Sequence, residues 1–271
     1  MKILVLGGDK RYISLMNNLD YPIDCVGYEN KKLNENIVKK KIEDINLYKY
    51  DIVILPILGI NDNFEINSLD GMIKLDKELF DTSKKDCVFY TGLITDMMHH
   101  LFENKDLVSF LQDKEVKRGN DVLTIEGVLE RVNEKKRDNI TILGFGNLGS
   151  KLSYILSDYN INIGTNDEYL ADYFPRKFFL TTNKQAMKIY FKSSDYIINT
   201  VPKNIIDEEL LKCTSAHVLD IASSPYGMDK DISKNYFNYH LYSSIPSKYA
   251  PEEAGKILAK KIIRDQKGKN I

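Results

Sequence analysis

The stretch Asn139-Ile140-Thr141-Ile142-Leu143-Gly144-Phe145-Gly146-Asn147-Leu148-Gly149 decides the fold. Ile140–Leu143 reads as a strand buried on both faces, and Leu148, Leu152, Ile155 and Leu156 then recur at helical spacing. A strand, a G-x-G-x-x-G turn and a helix, in that order, form the fingerprint of a dinucleotide-binding βαβ unit. Gly144 permits the tight turn, Gly146 lets the backbone approach a pyrophosphate, and Gly149 lets helix and strand pack closely. Asn147 and Leu148 open the helix, whose N–H groups and positive dipole end suit that pyrophosphate. The expected cofactor is therefore NAD(P).

The acidic residue that holds an adenosine ribose stands about 20 residues beyond such a turn. Here the second strand ends Ile163-Gly164-Thr165-Asn166, with no carboxylate before Asp167. Thr165 and Asn166 are thus expected at the ribose. Nothing repels a 2′-phosphate there and no Arg clamps one, so NAD and NADP both stay open, with a lean to NADP. Asn199-Thr200-Val201-Pro202 and Asp220-Ile221-Ala222-Ser223-Ser224-Pro225 follow two later strands. Ligands bind at the carboxyl ends of strands in open α/β sheets. Thr200, Val201, Pro202, Asp220 and Ala222 are accordingly expected to border the nicotinamide.

The same format extends outward in both directions. Lys2–Leu6, Ile23–Gly27, Asp51–Ile57 and Asp86–Thr91 read as buried strands, separated by helix-period stretches at Lys10–Leu19 and Ile94–Phe102. Ile161–Gly164, Lys177–Leu180, Asp195–Val201 and Val218–Ala222 continue the pattern in the second half. Alternating strands and helices predict an α/β fold of two Rossmann-like parallel-sheet lobes. The expected divisions are a flavodoxin- or Rossmann-like substrate lobe over 1–120, a connecting helix over 121–138, and the NAD(P)-binding lobe over 139–250. A C-terminal helix over 251–271 should return to the first lobe, with Lys267–Ile271 as a frayed tail. Val122, Ile125, Val128, Leu129 and Val132 mark one face of the connecting helix, Asp121 reads as its N-cap, and residues 134–138 as its solvated end.

The first lobe opens on Gly7-Gly8-Asp9-Lys10-Arg11, which lacks the third glycine and does not read as a dinucleotide turn. A helix start backed by Lys10 and Arg11 suits a carboxylate instead. His99 and His100 are adjacent, so they diverge by about 100° on a helix and cannot grip one metal together. One exposed and one packed imidazole are expected, and no metal site. The 271 residues carry 38 basic and 39 acidic side chains, a net charge of −1, which does not leave the basic excess of a nucleic-acid binder. Three scattered cysteines, Cys25, Cys87 and Cys213, form no C-x-x-C pair and point to a reducing compartment. No run of about 18 apolar residues occurs and the N-terminal apolar run is short for a signal sequence, so the expected location is the cytoplasm, away from membranes.

Taken together, the motifs resemble the A-subunit family of dipicolinate synthase, an enzyme of bacterial sporulation. The matching pieces are Gly7-Gly8-Asp9 with Arg11, Thr124 with Glu126-Gly127, the Gly144/Gly146/Gly149 turn, Asn199–Pro202, Leu219-Asp220 with Ala222-Ser223, and Ile245–Pro251 with Ala254-Gly255. Departures from the family pattern include Leu123 in place of a proline, Gly164-Thr165-Asn166 in place of Gly-Ala-Arg, Ser224 in place of an arginine, and Ser243–Ser247 in place of a glycine-rich loop. The resemblance implies oxidation of a dihydrodipicolinate ring to pyridine-2,6-dicarboxylate, with hydride passing to NAD(P)+. It also implies a flavoprotein B subunit carrying FMN, alongside any self-association. Lys248, Arg11 and Lys10 are then candidates for the substrate carboxylates, with Gly8, Asp9 and Thr124 beside them. Thr200 and Ser223 are candidates for hydrogen bonds at the ring or nicotinamide. Glu126 is either a base or an organiser of the hinge. Two other readings stand beside this one: a 2-hydroxyacid or alanine dehydrogenase-like enzyme, and a nucleotide-binding scaffold without chemistry.

Overall fold

Short runs of Ile, Val and Leu build the strands, because β-branched and large apolar side chains fill a pleated surface buried on both sides. In the computed structural model, which describes residues 1–133 and 139–269, the chain divides into two units. One is Met1–Leu123 with Pro246–Ile271, and the other is Thr124–Ile245.

The first unit contains β1 (Ile3–Leu6), α1 (Arg11–Asn17), β2 (Ile23–Val26), β3 (Ile37–Lys39) and β4 (Ile52–Ile54). A hairpin of β5 (Glu65–Ser68) and β6 (Gly71–Lys74) precedes β7 (Val88–Thr91), α2 (Asp96–Leu101) and β8 (Asp106–Ser109). Six strands pair in parallel in the order β3-β2-β1-β4-β7-β8, with the antiparallel hairpin outside the sheet. Strand periodicity sorts the core: Ile3, Val5, Ile52 and Ile54 pack with Leu15 and Met16 on one face, while Leu4, Leu6, Val53 and Leu55 meet Phe80, Phe89 and Phe102 on the other.

Helix α3 (Lys114–Asn133) passes from the first unit into the second. The second unit continues with β9 (Asn139–Leu143), α4 (Asn147–Ile155), β10 (Asn160–Thr165), α5 (Glu168–Tyr173), β11 (Phe178–Leu180) and α6 (Lys184–Ser193). It is completed by β12 (Tyr196–Asn199), α7 (Glu208–Lys212), β13 (His217–Asp220), α8 (Lys230–Ser233) and β14 (Tyr239–Leu241). Its strands are all parallel, in the order β11-β10-β9-β12-β13-β14. With the hairpin set aside, each sheet has the doubly wound Rossmann order, as the strand-helix alternation predicts. Within the two parallel sheets, the strands without a sequence signal, β3, β8 and β14, are all at edges, where one side stays open and the continuous apolar run fades.

After α9 (Ile245–Tyr249), the final helix α10 (Pro251–Lys269) packs on α1. Leu258, Ala259 and Ile262 enter the α1 side of the core, and Ser14 Oγ donates to the Glu252 carbonyl at 2.7 Å. A Cβ on Gly255 would lie 2.2 Å from the Arg11 carbonyl, so only glycine permits this approach. The helix stays regular through Lys269, where the sequence suggests fraying from Lys267; residues 270–271 are outside the described residues. No helix among the described residues is long and apolar enough to cross a membrane.

The start of α3 corrects the sequence expectation. Asp121 lies mid-helix, because Asp113 caps the chain earlier by accepting from the Glu115 and Val116 N–H groups at 3.0 Å each. Ile125, Val128 and Val132 are buried as expected and Leu129 is half-buried, whereas Val122 is exposed and Leu123, outside the expected face, is buried in its stead. The charged run 134–138 lies outside the described residues.

Asp113 also accepts from Arg264 Nη2 of α10 at 2.5 Å and faces Lys261 Nζ at 3.6 Å. Burial pushes its carboxyl up, but the Val116 N–H, Arg264 and Lys261 outweigh that and hold it below the usual range. A carboxyl lowered by folding adds stability that is complete above its unfolded pKa and lost as the pH falls through the folded value. Asp113→Asn, which keeps a capping oxygen, is therefore expected to cost about 1 kcal/mol near neutrality. The cost should shrink as the pH falls through the lowered folded value, as urea unfolding at neutral and at acidic pH would show.

Candidate functional site

The glycine turn of the second unit follows β9, which pairs with β10 on one side and β12 on the other. That is the point where strand order reverses and a crevice opens at the carboxyl ends. Gly144 has φ +97°, and a Cβ there would lie 2.4 Å from Thr200 Oγ1. A Cβ on Gly149 would lie 2.1 Å from the Gly144 carbonyl, so this glycine is what lets α4 seat against the turn. Gly146 differs from both: a Cβ there would meet nothing within 4 Å. No side chain caps α4 at Gly146, while Asn147 is exposed and Leu148 half-buried. Open space in front of an uncapped helix start suits an oxyanion such as a pyrophosphate. The residues present therefore fit a dinucleotide.

The neighbouring loops are fixed by a buried polar hub. Thr200 donates to the Leu143 carbonyl through both its N–H and its hydroxyl, each at 2.9 Å. Asn199, fully buried, donates from Nδ2 to the Val201 carbonyl at 3.1 Å and to Asp220 Oδ1 at 2.8 Å. Asp220 Oδ1 also accepts from the Ala222 N–H at 3.2 Å, and Oδ2 accepts from the Gly227 N–H at 2.7 Å and from the Tyr239 hydroxyl. Burial first, and then the adjacent Asp220 carboxylate, push the Tyr239 hydroxyl far up, so it stays protonated and donating. The Ile205 and Ile206 N–H groups reach the Gly227 carbonyl at 2.9 and 2.8 Å, lacing the two loops together.

Asp220 thus corrects a sequence expectation. It is 0 % exposed and encircled by four donors, so its carboxylate positions the loops and does not touch a cofactor. Ala222 is buried beside it, Val201 is half-buried, and Pro202 and Ser223 are exposed at the rim. Sequence reasoning misses Tyr239 and Gly227, because they join Asp220 only through the sheet and the loop after it.

At the ribose end, Thr165 is buried and its hydroxyl accepts from the Asp167 N–H at 3.1 Å. Asp167 caps α5 by accepting from the Leu170 N–H at 3.2 Å. Asn166 is exposed between them.

In the first unit the glycine pair is filled by the protein itself. The Gly8 N–H donates to the Asn67 carbonyl of the hairpin at 2.7 Å, and Tyr28 Oη donates to the Gly7 carbonyl at 2.6 Å. Arg11 is buried and forks onto Asp9, with Nε to Oδ1 at 3.0 Å and Nη2 to Oδ2 at 2.7 Å. Asp9 Oδ1 also accepts from the Arg11 N–H at 3.0 Å. The anion site read at this helix start is therefore occupied by Asp9, and Arg11 is not a free carboxylate clamp. Lys10 points into a cleft beside α1, and Lys248 is exposed on α9. Thr124 is half-buried and Glu126 exposed on α3, in the second unit. His99 and His100 are both exposed, correcting the expectation that one packs; the buried member of that turn is Met98.

Residues 2–110 match the family described as the N-terminal domain of the dipicolinate synthase A subunit. No curated protein matches the chain. Among solved structures, the dipicolinate synthase A subunit from Bacillus halodurans superposes with a TM-score of 0.81 at 22% identity, covering 97% of this chain and 96% of that one. The A chain of dipicolinate synthase from Bacillus subtilis gives a TM-score of 0.77 at 22% identity, covering 99% and 97%. A D-isomer specific 2-hydroxyacid dehydrogenase from Lactobacillus delbrueckii ssp. bulgaricus, in its NAD-complexed form, gives 0.52 at 12% identity, covering 98% and 96%. The family resemblance carried by the motifs is met by the domain match and by the fold of the two Bacillus structures.

Proposed function

We propose that this chain is the A subunit of a dipicolinate synthase, an NAD(P)-dependent oxidoreductase that converts a dihydrodipicolinate ring to pyridine-2,6-dicarboxylate. The observation that carries the reading is the open Gly146 turn at the strand-order reversal of the second sheet, in a chain whose residues 2–110 match the N-terminal domain of that family. Bound NAD(P)+ supplies the hydride acceptor. The chain's own part is to orient the nucleotide and hold a dianion, because aromatisation itself drives the oxidation.

In this proposal Gly144, Gly146, Asn147, Leu148 and Gly149 cradle the pyrophosphate, while Thr165 and Asn166 flank the ribose. Thr200, Val201, Pro202 and Ala222 form the nicotinamide wall. Thr200 presents hydroxyl lone pairs, since its proton is engaged by Leu143. Ser223 offers an exposed hydroxyl to the ring, Lys248 a cation to one carboxylate, and Glu126 a base. Arg11 and Asp9 act as a buried positioning pair beneath the first-unit turn. The lean to NADP rests on Asp167, whose Oδ1 caps α5, and on the lack of any carboxylate before it. The proposed partner is a flavoprotein B subunit with FMN, and the proposed setting is the cytoplasm of a sporulating cell.

Incubation with dihydrodipicolinate and NADP+ or NAD+, with and without the flavoprotein, is expected to yield the pyridine product by its ultraviolet absorbance. Absence of product under every condition would overturn the enzymatic reading.

A further inference from the structure

The loop after β13 holds a non-glycine residue in the left-handed region: Tyr226, with φ +67°. That conformation crowds Cβ against the backbone, so glycine adopts it freely while a tyrosine there is strained. The buried hub imposes it. The Tyr226 N–H donates to the Ser223 carbonyl at 2.9 Å, and the following N–H, of Gly227, donates to Asp220 Oδ2 at 2.7 Å. The Asn204 amide donates to the Tyr226 carbonyl at 3.1 Å and to the Pro225 carbonyl at 3.2 Å. The glycine next in line is committed elsewhere, because a Cβ on Gly227 would lie 2.4 Å from Asn199 Nδ2.

Backbone strain of this kind persists where the surrounding structure holds a side chain for a task. Tyr226 is half-buried and follows the carboxyl end of β13, the edge at which ligands bind in such a sheet. The turn closed by its N–H brings it beside Ser223, at the rim of the nicotinamide wall. Buried tyrosines of this chain spend their hydroxyls on the protein: Tyr12 on the Leu55 carbonyl at 2.8 Å, Tyr28 on the Gly7 carbonyl at 2.6 Å and Tyr50 on Asp24 at 2.6 Å. The Tyr226 hydroxyl has no hydrogen-bond partner among the described residues. It is a donor and acceptor left over at the crevice. We propose that Tyr226 is a substrate-binding residue, its hydroxyl donating to a carboxylate of the ring bound beside the nicotinamide. The inference rests on the dipicolinate synthase reading and adds to it a residue that none of the motifs marks.

The test compares the full chain with Tyr226→Phe and Tyr226→Gly, each saturated with NADP+ or NAD+. The unsubstituted chain is expected to bind pyridine-2,6-dicarboxylate by calorimetry. Tyr226→Phe keeps the ring and the backbone, and should bind it about 10- to 100-fold more weakly for want of the hydroxyl. In turnover of dihydrodipicolinate the loss should fall on KM more than on kcat, as for a contact made equally in the ground and transition states. Tyr226→Gly should lose the same affinity while its urea midpoint holds or rises, because the strain is released. Unchanged dicarboxylate affinity in Tyr226→Phe would overturn the inference and leave the dipicolinate synthase reading standing. A lowered midpoint in Tyr226→Gly with affinity retained would also overturn it, making Tyr226 a packing residue. An unsubstituted chain that binds no dicarboxylate and forms no product would overturn the reading itself, and the inference with it.

Discussion

Gly146→Asp should abolish dinucleotide binding while leaving the fold as stable as before or slightly more so. The backbone at Gly146 has φ −79° and ψ −163°, an extended conformation open to any residue. A Cβ there meets nothing within 4 Å, so the protein has room for the side chain. Aspartate at this position also caps α4, which is worth a few tenths of a kcal/mol over glycine. The same carboxylate places a negative charge where the pyrophosphate would lie and fills the space that lets it approach the turn. A loss of roughly 100-fold in NADPH affinity, about 2.7 kcal/mol, is expected by fluorescence titration. Gly149→Ala provides the contrast. Its Cβ would lie 2.1 Å from the Gly144 carbonyl, so stability and binding should fall together. Unchanged NADPH binding in Gly146→Asp would show that the nucleotide does not use this turn.

The second glycine turn is legible in sequence because all its determinants are local: a strand, three glycines at fixed spacing and a helix. Both sheets are legible in the same way through Ile140–Leu143, Lys2–Leu6 and their parallel neighbours. What escapes depends on contacts distant along the chain. The Asn67 carbonyl covers Gly8 from a hairpin far along the chain, and nothing near Gly7-Gly8 signals that hairpin. Arg11 reads as a free cation because its partner, Asp9, itself reads as a ligand residue; the fork between them needs the turn geometry to be seen. The start of α3 is hidden because Asp113, a good cap, stands before a polar stretch with little apolar periodicity.

Asp220→Ala is expected to be the most destabilising single change at the site, and to act on the second unit before it acts on any ligand. The substitution removes the shared acceptor of Asn199 Nδ2, the Ala222 and Gly227 N–H groups, and the Tyr239 hydroxyl. Buried donors left without a partner cost about 1–3 kcal/mol each, and some of them will recover a water. A net loss of roughly 3–5 kcal/mol follows. Asp220→Asn keeps the shape and one oxygen, and the Tyr239 hydroxyl can reverse to accept from the new amide. The Gly227 N–H cannot reverse, so about 2 kcal/mol should remain lost. Tyr239→Phe deletes one donor and should cost about 1–2 kcal/mol. This order, Ala worse than Asn and Asn at least as bad as Phe, is read from urea unfolding monitored on the second unit's transition. Because Asn199 and Gly227 hold the loops that border the glycine turn, NADPH affinity should decline only as that unit loosens. The contrary result, normal stability in Asp220→Ala with NADPH binding abolished, would return Asp220 to direct contact with the cofactor.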